Sequence, residues 1–223
     1  MVRFNESEIK KAIKTIRASL KANKGLPSTV TMKDTDGKSR KLSKAQYNGL
    51  LEARNVFRLK NGRMPNYTTL NSTANNPIVL NYQDDSVSCA CASFNMCVQM
   101  LYEWIDEKKI KQVFQTGSSG TAPSQVISGA KKLGYNVTKI DRNSKAVKKA
   151  LDKGYPIMAH IDTIKAPCLG YAKNYGHWIM IHRINDTSYY VLDPTKGSKV
   201  CKFANIDKAM LDRTIYYYKV TIV

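Results

Sequence analysis

Four residues, met in the order Gln83, Cys89, His177 and Asp193, give this chain a chemistry to test. Covalent acyl transfer through sulfur needs a thiolate, best held at a helix N-terminus where the partial positive charge lowers its pKa. It needs an imidazole within hydrogen-bond reach and a third group that orients that imidazole. It also needs donors for the oxyanion of a tetrahedral intermediate. Cys89 stands where a polar loop, Gln83 to Ser88, turns into a long apolar helix. Its own backbone N–H and the amide of Gln83, six residues upstream, are the candidate oxyanion donors. His177 follows Gly176 and opens a strand; Asn185-Asp186-Thr187 makes a turn; the next strand ends at Asp193-Pro194. Two antiparallel neighbours set the start of one beside the end of the other, so this spacing predicts that His177 and Asp193 meet at one end of a hairpin.

Each residue alone has an ordinary reading: a cysteine at a helix start is commonly structural, a histidine at a strand start is commonly an edge residue, and Asp-Pro is a turn signal. Rivals are weaker. Cys91 has Asp85, not Gln, six residues before it; His182 falls on the opposite strand face from His177; His160 has no comparable downstream Asp. A zinc site from Cys89, Cys91, His177 and Cys201 would need Cys-Ala-Cys to act as a knuckle, which is not its usual spacing. Trp178 either covers the sulfur and shields the site or is a core aromatic.

The elements that must position these residues follow from periodicity. Ile9, Ile13, Ile16 and Leu20 mark an amphipathic helix over 9–22, stopped by Lys24-Gly25-Leu26-Pro27. A short extended stretch, Thr29–Met32, leads to a turn on Asp34, Asp36 and Gly37. Ser43 caps a second helix over 44–60, ended by Asn61-Gly62-Arg63-Met64-Pro65, after which 66–70 is again extended. Pro27 and Pro65 thus occupy matching places 38 residues apart in a loose internal repeat. Residues 71–78 read as a linker. A strand over 78–82, a helix over 89–108, a helix over 123–133 with Pro123 in its first turn, a strand over 136–140 and a helix over 144–153 follow. The last third is β-rich, with strands at 156–161, 177–184, 188–193 and 214–222. The expected fold is α+β, a helix carrying Cys89 packed on an antiparallel sheet, preceded by a small, mainly helical domain. The boundary falls between 1–76 and 77–223.

At 223 residues, 43% hydrophobic and 24% charged, the chain has the composition of a soluble globular protein. No apolar run is long enough to span a bilayer, and the start lacks the apolar core of a secretory signal. Localisation is therefore expected in the cytoplasm, without a membrane partner, until some other route releases the protein. The net charge of +19 divides into +11 for 1–76 and +8 for 77–223, which favours a polyanionic partner. No zinc-finger spacing, RNP-type strand or P-loop supports nucleic acid. Five cysteines, an odd number in clustered positions, argue against a disulfide framework and for a reducing compartment.

Gln83-Asp-Asp-Ser-Val-Ser-Cys89-Ala-Cys-Ala-Ser93 resembles the Gln…Cys-Gly-Pro-Ala-Ser segment of papain-like, C39-like cysteine peptidases, and Gly176-His177-Trp178 and Tyr190-Val-Leu-Asp193-Pro194 resemble that group's His and Asp segments. Ala90 and Cys91 depart from the usual Gly and Pro, which bears on the shape of the oxyanion loop. Ala53 to Tyr67, ending Asn61-Gly-Arg-Met-Pro-Asn66-Tyr67, is similar to pseudomurein-binding repeats, and 42–50 resembles the segment closing such a repeat; the first copy is degenerate. The combination resembles the pseudomurein endoisopeptidases of methanogen viruses. The resemblance implies hydrolysis of isopeptide bonds to lysine in archaeal pseudomurein, with wall lysis as the outcome. It implies catalytic roles for Cys89, His177 and Asp193, oxyanion stabilisation by Gln83, and substrate contacts at Trp178, Asn66 and Tyr67. It also implies a calcium requirement, for which no EF-hand-like loop supplies ligands. The partner would be the wall polymer, not nucleic acid or membrane, and the enzyme a monomer.

Overall fold

A computed structural model describes residues 1–210 and 217–223. The chain divides into two compact units, one of 1–79 with 99–104, the other of 80–98 with 105–223.

The first unit runs β1 (Arg3–Asn5), α1 (Glu6–Lys21), β2 (Thr29–Lys33), β3 (Ser39–Ser43), α2 (Lys44–Asn61) and β4 (Tyr67–Thr69). β2 and β3 form a hairpin closed by Asp34, whose buried carboxylate accepts from the Asp36 and Lys38 amides and from Arg40 Nε, with Gly37 at φ +79°. β3 was not expected from sequence. Its pairing reveals a symmetry. β1 pairs with β4 through Arg3–Thr69, Phe4–Thr68 and Asn5–Tyr67. β3 pairs with β2 through Lys41–Thr31, Leu42–Val30 and Ser43–Thr29. A shift of 38 residues carries one register onto the other, so each β-α-β copy closes its two-stranded ladder with the other copy. The repeat suggested by Pro27 and Pro65 is thus present in the topology. Phe4 and Leu42, Ile9 and Tyr47, and Ala12 and Leu50 occupy equivalent buried places. Ser43 accepts from Gln46 N while the Gln46 side chain accepts from Ser43 N, a complete capping box on α2. Glu6 receives Arg54 in two hydrogen bonds of 2.6 and 2.9 Å across the copies.

The second unit contains α3 (Cys89–Met100, whose last two residues group with the first unit), α4 (Glu107–Phe114), α5 (Pro123–Lys132), β5 (Tyr135–Ile140), α6 (Ser144–Asp152), β6 (Ile157–Asp162), β7 (Gly176–Ile184), β8 (Ser188–Asp193), β9 (Gly197–Lys202), α7 (Phe203–Ala209) and β10 (Tyr217–Ile222). Six strands form one sheet in the order β5-β10-β6-β7-β8-β9, and the described pairings are antiparallel. This is the expected α+β fold. Every residue of Cys89–Val98 is buried, as a helix apolar on all faces requires. Phe94 packs on Phe114 of α4 and Tyr135 of β5, at 5.1 and 5.6 Å between ring centres. Ser93 donates to the Trp178 carbonyl at 3.0 Å, tying the helix to β7.

Several expectations are corrected. The helix expected over 89–108 ends at Met100, and a separate helix, α4, begins at Glu107. Tyr102 turns left-handed at φ +64°, and its hydroxyl donates to Asn48 Oδ1 at 2.7 Å while Arg17 takes the Leu101 carbonyl, so tertiary contacts accompany the end of the helix there. Residues 78–82 form no strand; the Val79 amide and carbonyl are bonded instead by the Gln99 side chain. β9 and α7 were missed, since Gly197–Lys202 has little of the apolar alternation that marks a strand. Of the strand expected over 214–222, residues 214–216 lie outside the described residues. Cys168 and Cys201, separated by 33 residues, form a disulfide with Cα atoms 5.6 Å apart. Parity misled because the clustered Cys89, Cys91 and Cys97 are free and the two isolated cysteines pair. Among the described residues no helix is long and apolar enough to cross a membrane.

Candidate active site

Cys89 is the first residue of α3, with Ser88 before it accepting from the Cys91 and Ala92 amides. Helix geometry leaves the Cys89 N–H without an intrahelical acceptor and sets the helix's positive end at the sulfur. Cys89 opens onto a cleft of about 500 Å³ whose lining includes Ser118, Gly120, His160, Tyr175 and Trp178.

His177 enters from the start of β7 and Asp193 from the end of β8. His177 Nε2 lies 3.0 Å from Asp193 Oδ1. The hairpin spacing therefore brings these two side chains together. The carboxylate is wholly buried and also accepts from the Thr195 and Lys196 amides at 2.8 and 3.1 Å. Burial pushes the Asp193 carboxyl up, but the His177 hydrogen bond and charge, with the Thr195 amide, outweigh it and hold it below its ordinary value. Burial pulls the His177 imidazole down; hydrogen bonds to Asp193 and Cys89 and the negative charge of both overcome this and raise it to about 9. Since Nε2 faces Asp193, Nδ1 is the nitrogen left for Cys89.

Tyr171, unmarked by any sequence pattern, joins this pair. Its hydroxyl lies 2.9 Å from both Asp193 oxygens and 3.1 Å from His177 Nε2. Glu107 of α4, also unforeseen, anchors the loop before the nucleophile: its buried carboxylate accepts from Asn81 Nδ2 at 2.9 Å and from the Asp84 amide at 3.0 Å. Burial holds that carboxyl above the ordinary range. Neither residue lies in a motif, and only the folded loop reveals them.

Gln83 sits beside the end of β8. Its amide N–H donates to the Asp85 carbonyl at 2.5 Å, its Oε1 accepts from Thr195 Oγ1 at 2.8 Å, and its backbone donates to the Pro194 carbonyl. A primary amide carries two N–H donors, so the Asp85 contact leaves one for another acceptor. Trp178 is buried, donates from Nε1 to the Thr121 carbonyl at 3.0 Å, and stacks on His160 at 4.5 Å between centres. Burial, with His177 nearby, lowers His160 to about 4, so it is neutral at pH 7. Cys91 is turned away, its Sγ 3.3 Å from Thr116 Oγ1, and burial pushes its thiol up to about 12.

Asn66 and Tyr67 belong to the first unit. With Phe57, Arg63 and Pro65 they line a groove of about 420 Å³ formed by the second copy of the repeat. Tyr67 is 48% exposed, and the Arg3 guanidinium sits 5.0 Å over its ring. Among the described residues no group of three or more His, Cys, Asp or Glu forms a donor set for a metal ion, so the residues present do not fit a carboxylate-built calcium site.

Residues 77–210 match the model of the family described as Peptidase C39 family. No curated protein matches the chain. Among solved structures it is similar to the peptidase domain of Streptococcus ComA, a bi-functional ABC transporter involved in a quorum sensing pathway, at 15% identity and TM-score 0.48 over 63% of this chain and 94% of that one. A double glycine motif protease from an AMS/PCAT transporter, in complex with leader peptide, matches at 16% identity and TM-score 0.46, over 64% and 91%. A C39-like Bacillus anthracis protein matches at 14% and 0.46, over 64% and 94%.

Proposed function

We propose that this chain, which belongs to the peptidase C39 family, is a cysteine endoisopeptidase that cuts isopeptide bonds to lysine in pseudomurein and so lyses the wall. The observation that carries the catalytic part is the meeting of His177 Nε2 with the buried Asp193 at 3.0 Å, with Cys89 as the imidazole's other partner. The wall-polymer part rests on the resemblance of the 53–67 segment, the groove at Asn66 and Tyr67, and the basic excess of 1–76.

The thiol proton of Cys89 passes to His177 Nδ1, and the thiolate attacks the isopeptide carbonyl carbon. The Cys89 N–H and the second Gln83 N–H receive the oxyanion. The C–N bond breaks as the imidazolium gives its proton to the departing lysine ε-amine, leaving a thioester on Cys89. His177 then takes a proton from water, the hydroxide adds to the thioester carbon, and the thiolate leaves with the acid product. Asp193 keeps the proton on Nε2 and stabilises the imidazolium. Trp178 walls the cleft from water, and Tyr67 and Asn66 hold the polymer.

The test is release of new amine groups from purified pseudomurein under a thiol reductant, with and without added calcium, comparing wild type with Cys89→Ala. Release by wild type alone supports the reading. Release by both removes Cys89 from the mechanism. Cleavage of soluble peptides but not of the wall would make the enzyme a precursor-processing peptidase instead.

A further inference from the structure

We propose that Tyr171 is a positioning residue for the reaction: its hydroxyl bridges His177 and Asp193, holding the imidazole with Nε2–H inward and Nδ1 toward Cys89. The proposal rests on reading Cys89 and His177 as the acyl-transfer pair.

A phenol has one proton and oxygen lone pairs. At 2.9 Å from both Asp193 oxygens, it donates to the carboxylate, and its oxygen, 3.1 Å from Nε2, then accepts from the imidazole N–H. The His177 N–H is therefore forked between two acceptors. Burial and the Asp193 charge push the Tyr171 phenol upward, so it keeps its proton across the working range.

The segment that carries Tyr171 is built to hold it. Residues 163–175 connect β6 to β7, and the buried Thr163 pins their far end: its Oγ1 donates to the Lys173 carbonyl at 2.7 Å and accepts from the Tyr175 amide at 3.1 Å. The disulfide from Cys168 ties the middle of the segment to Cys201 in β9. Tyr175 and His177 each meet the Tyr171 ring edge-on, at 5.4 and 5.3 Å between centres, and Lys196 Nζ stands 5.3 Å over it. A hydroxyl fixed from several sides, shared by the two groups whose orientation decides proton transfer, acts on geometry and on charge together.

The Tyr171 proton disperses the Asp193 charge that holds His177 protonated, so removing it frees that charge and raises the imidazolium pKa. The lost neutral acceptor works the other way but is the weaker effect, because hydrogen bonds to ionised groups are the stronger. The titratable and charged groups around His177 are Cys89 from α3, Asp193 from β8, His160 from β6, and Tyr171 and Tyr175 from the connecting segment, with Lys196 over Tyr171.

The readout needs no substrate. Iodoacetate alkylates the Cys89 thiolate, and as an anion it reacts faster while His177 is protonated, so the rate against pH, followed by mass spectrometry of the Cys89 peptide, is bell-shaped for an activated pair. For Tyr171→Phe the upper limb is expected to move to higher pH and the plateau rate to fall several-fold. For 3,5-difluorotyrosine placed at 171, which keeps the shape but donates more strongly, the upper limb is expected to move to lower pH; this variant decides the matter if Tyr171→Phe does not fold. A wild-type profile with one ordinary thiol inflection would sink the activated-pair reading itself. A bell-shaped wild type with both variants superimposed on it, or shifted in the opposite senses, would overturn the role of Tyr171 alone.

Discussion

His177 carries two opposing influences, and their balance is measurable. Burial disfavours its charge while Asp193 and Cys89 favour it, and the second pair prevails at about 9 against an ordinary 6.5. A raised folded-state pKa means that the protonated imidazole stabilises the fold. That contribution is full below about 6.5 and disappears as pH rises through about 9. The difference in unfolding free energy between wild type and His177→Ala, followed by urea titration, should therefore shrink between pH 7 and pH 10; a difference that grows would contradict the ion-pair picture. Asp193→Ala removes the charge and the orienting acceptor together, and should lower kcat/KM by about 10²–10⁴-fold, with the loss mainly in kcat. The meeting of His177 with Asp193 and the place of Cys89 at a helix start were legible in the sequence, because each residue sits at an element end, where a helix start or a strand terminus fixes both position and direction. Tyr171 and Glu107 were not. They lie outside any periodic pattern, and their importance comes from what the chain folds against them.

Sequence pattern marks an element where burial is one-sided and loses it where tertiary contacts decide. α1, α2, α5 and α6 carry apolar stripes, and their limits agree with the spacing to within a few residues. At the break between α3 and α4, Tyr102 reaches Asn48, a partner 54 residues away, which no local pattern encodes. The disulfide is another such long-range decision. Replacing both Cys168 and Cys201 by Ser should cost on the order of 2–4 kcal/mol of unfolding free energy. The same change loosens the 163–175 segment and should slow Cys89 alkylation; unaltered stability would show that the link contributes nothing to the fold. Gly49 offers a contrary case within α2. Alanine there gains helix propensity of up to about 1 kcal/mol, yet its Cβ would stand 2.2 Å from the Ser72 carbonyl oxygen and 2.9 Å from Thr73 Cα. The neighbours are backbone and cannot rotate aside. Gly49→Ala is therefore expected to lower the melting temperature, and an increase would mean that the 72–74 segment yields readily.

For the whole molecule, charge and symmetry were legible to different depths. The basic excess reads directly from composition, while the repeat left only two prolines, two helix stops and a shared spacing in the sequence. Its stronger evidence, the matching registers of β1 with β4 and β3 with β2, exists only after folding. The copies have diverged where binding is proposed. Under the 38-residue shift, Asn61-Gly62-Arg63 of the second copy corresponds to Asn23-Lys24-Gly25 of the first, and Tyr67 to Thr29. An exposed tyrosine beside arginine suits a sugar-peptide polymer bearing carboxylates, through ring contact and charge together. Two consequences separate this from bulk attraction by a +19 chain. Co-sedimentation of the chain with pseudomurein should weaken as salt rises, since the Debye length falls from about 10 Å at 0.1 M to about 3 Å at 1 M. Arg63→Ala combined with Tyr67→Ala should weaken it several-fold further at fixed salt, while the alkylation profile of Cys89 stays unchanged. A double variant that sediments like wild type at every salt concentration would show the groove at Asn66 and Tyr67 to be no binding site, and leave diffuse charge as the only attraction to the wall.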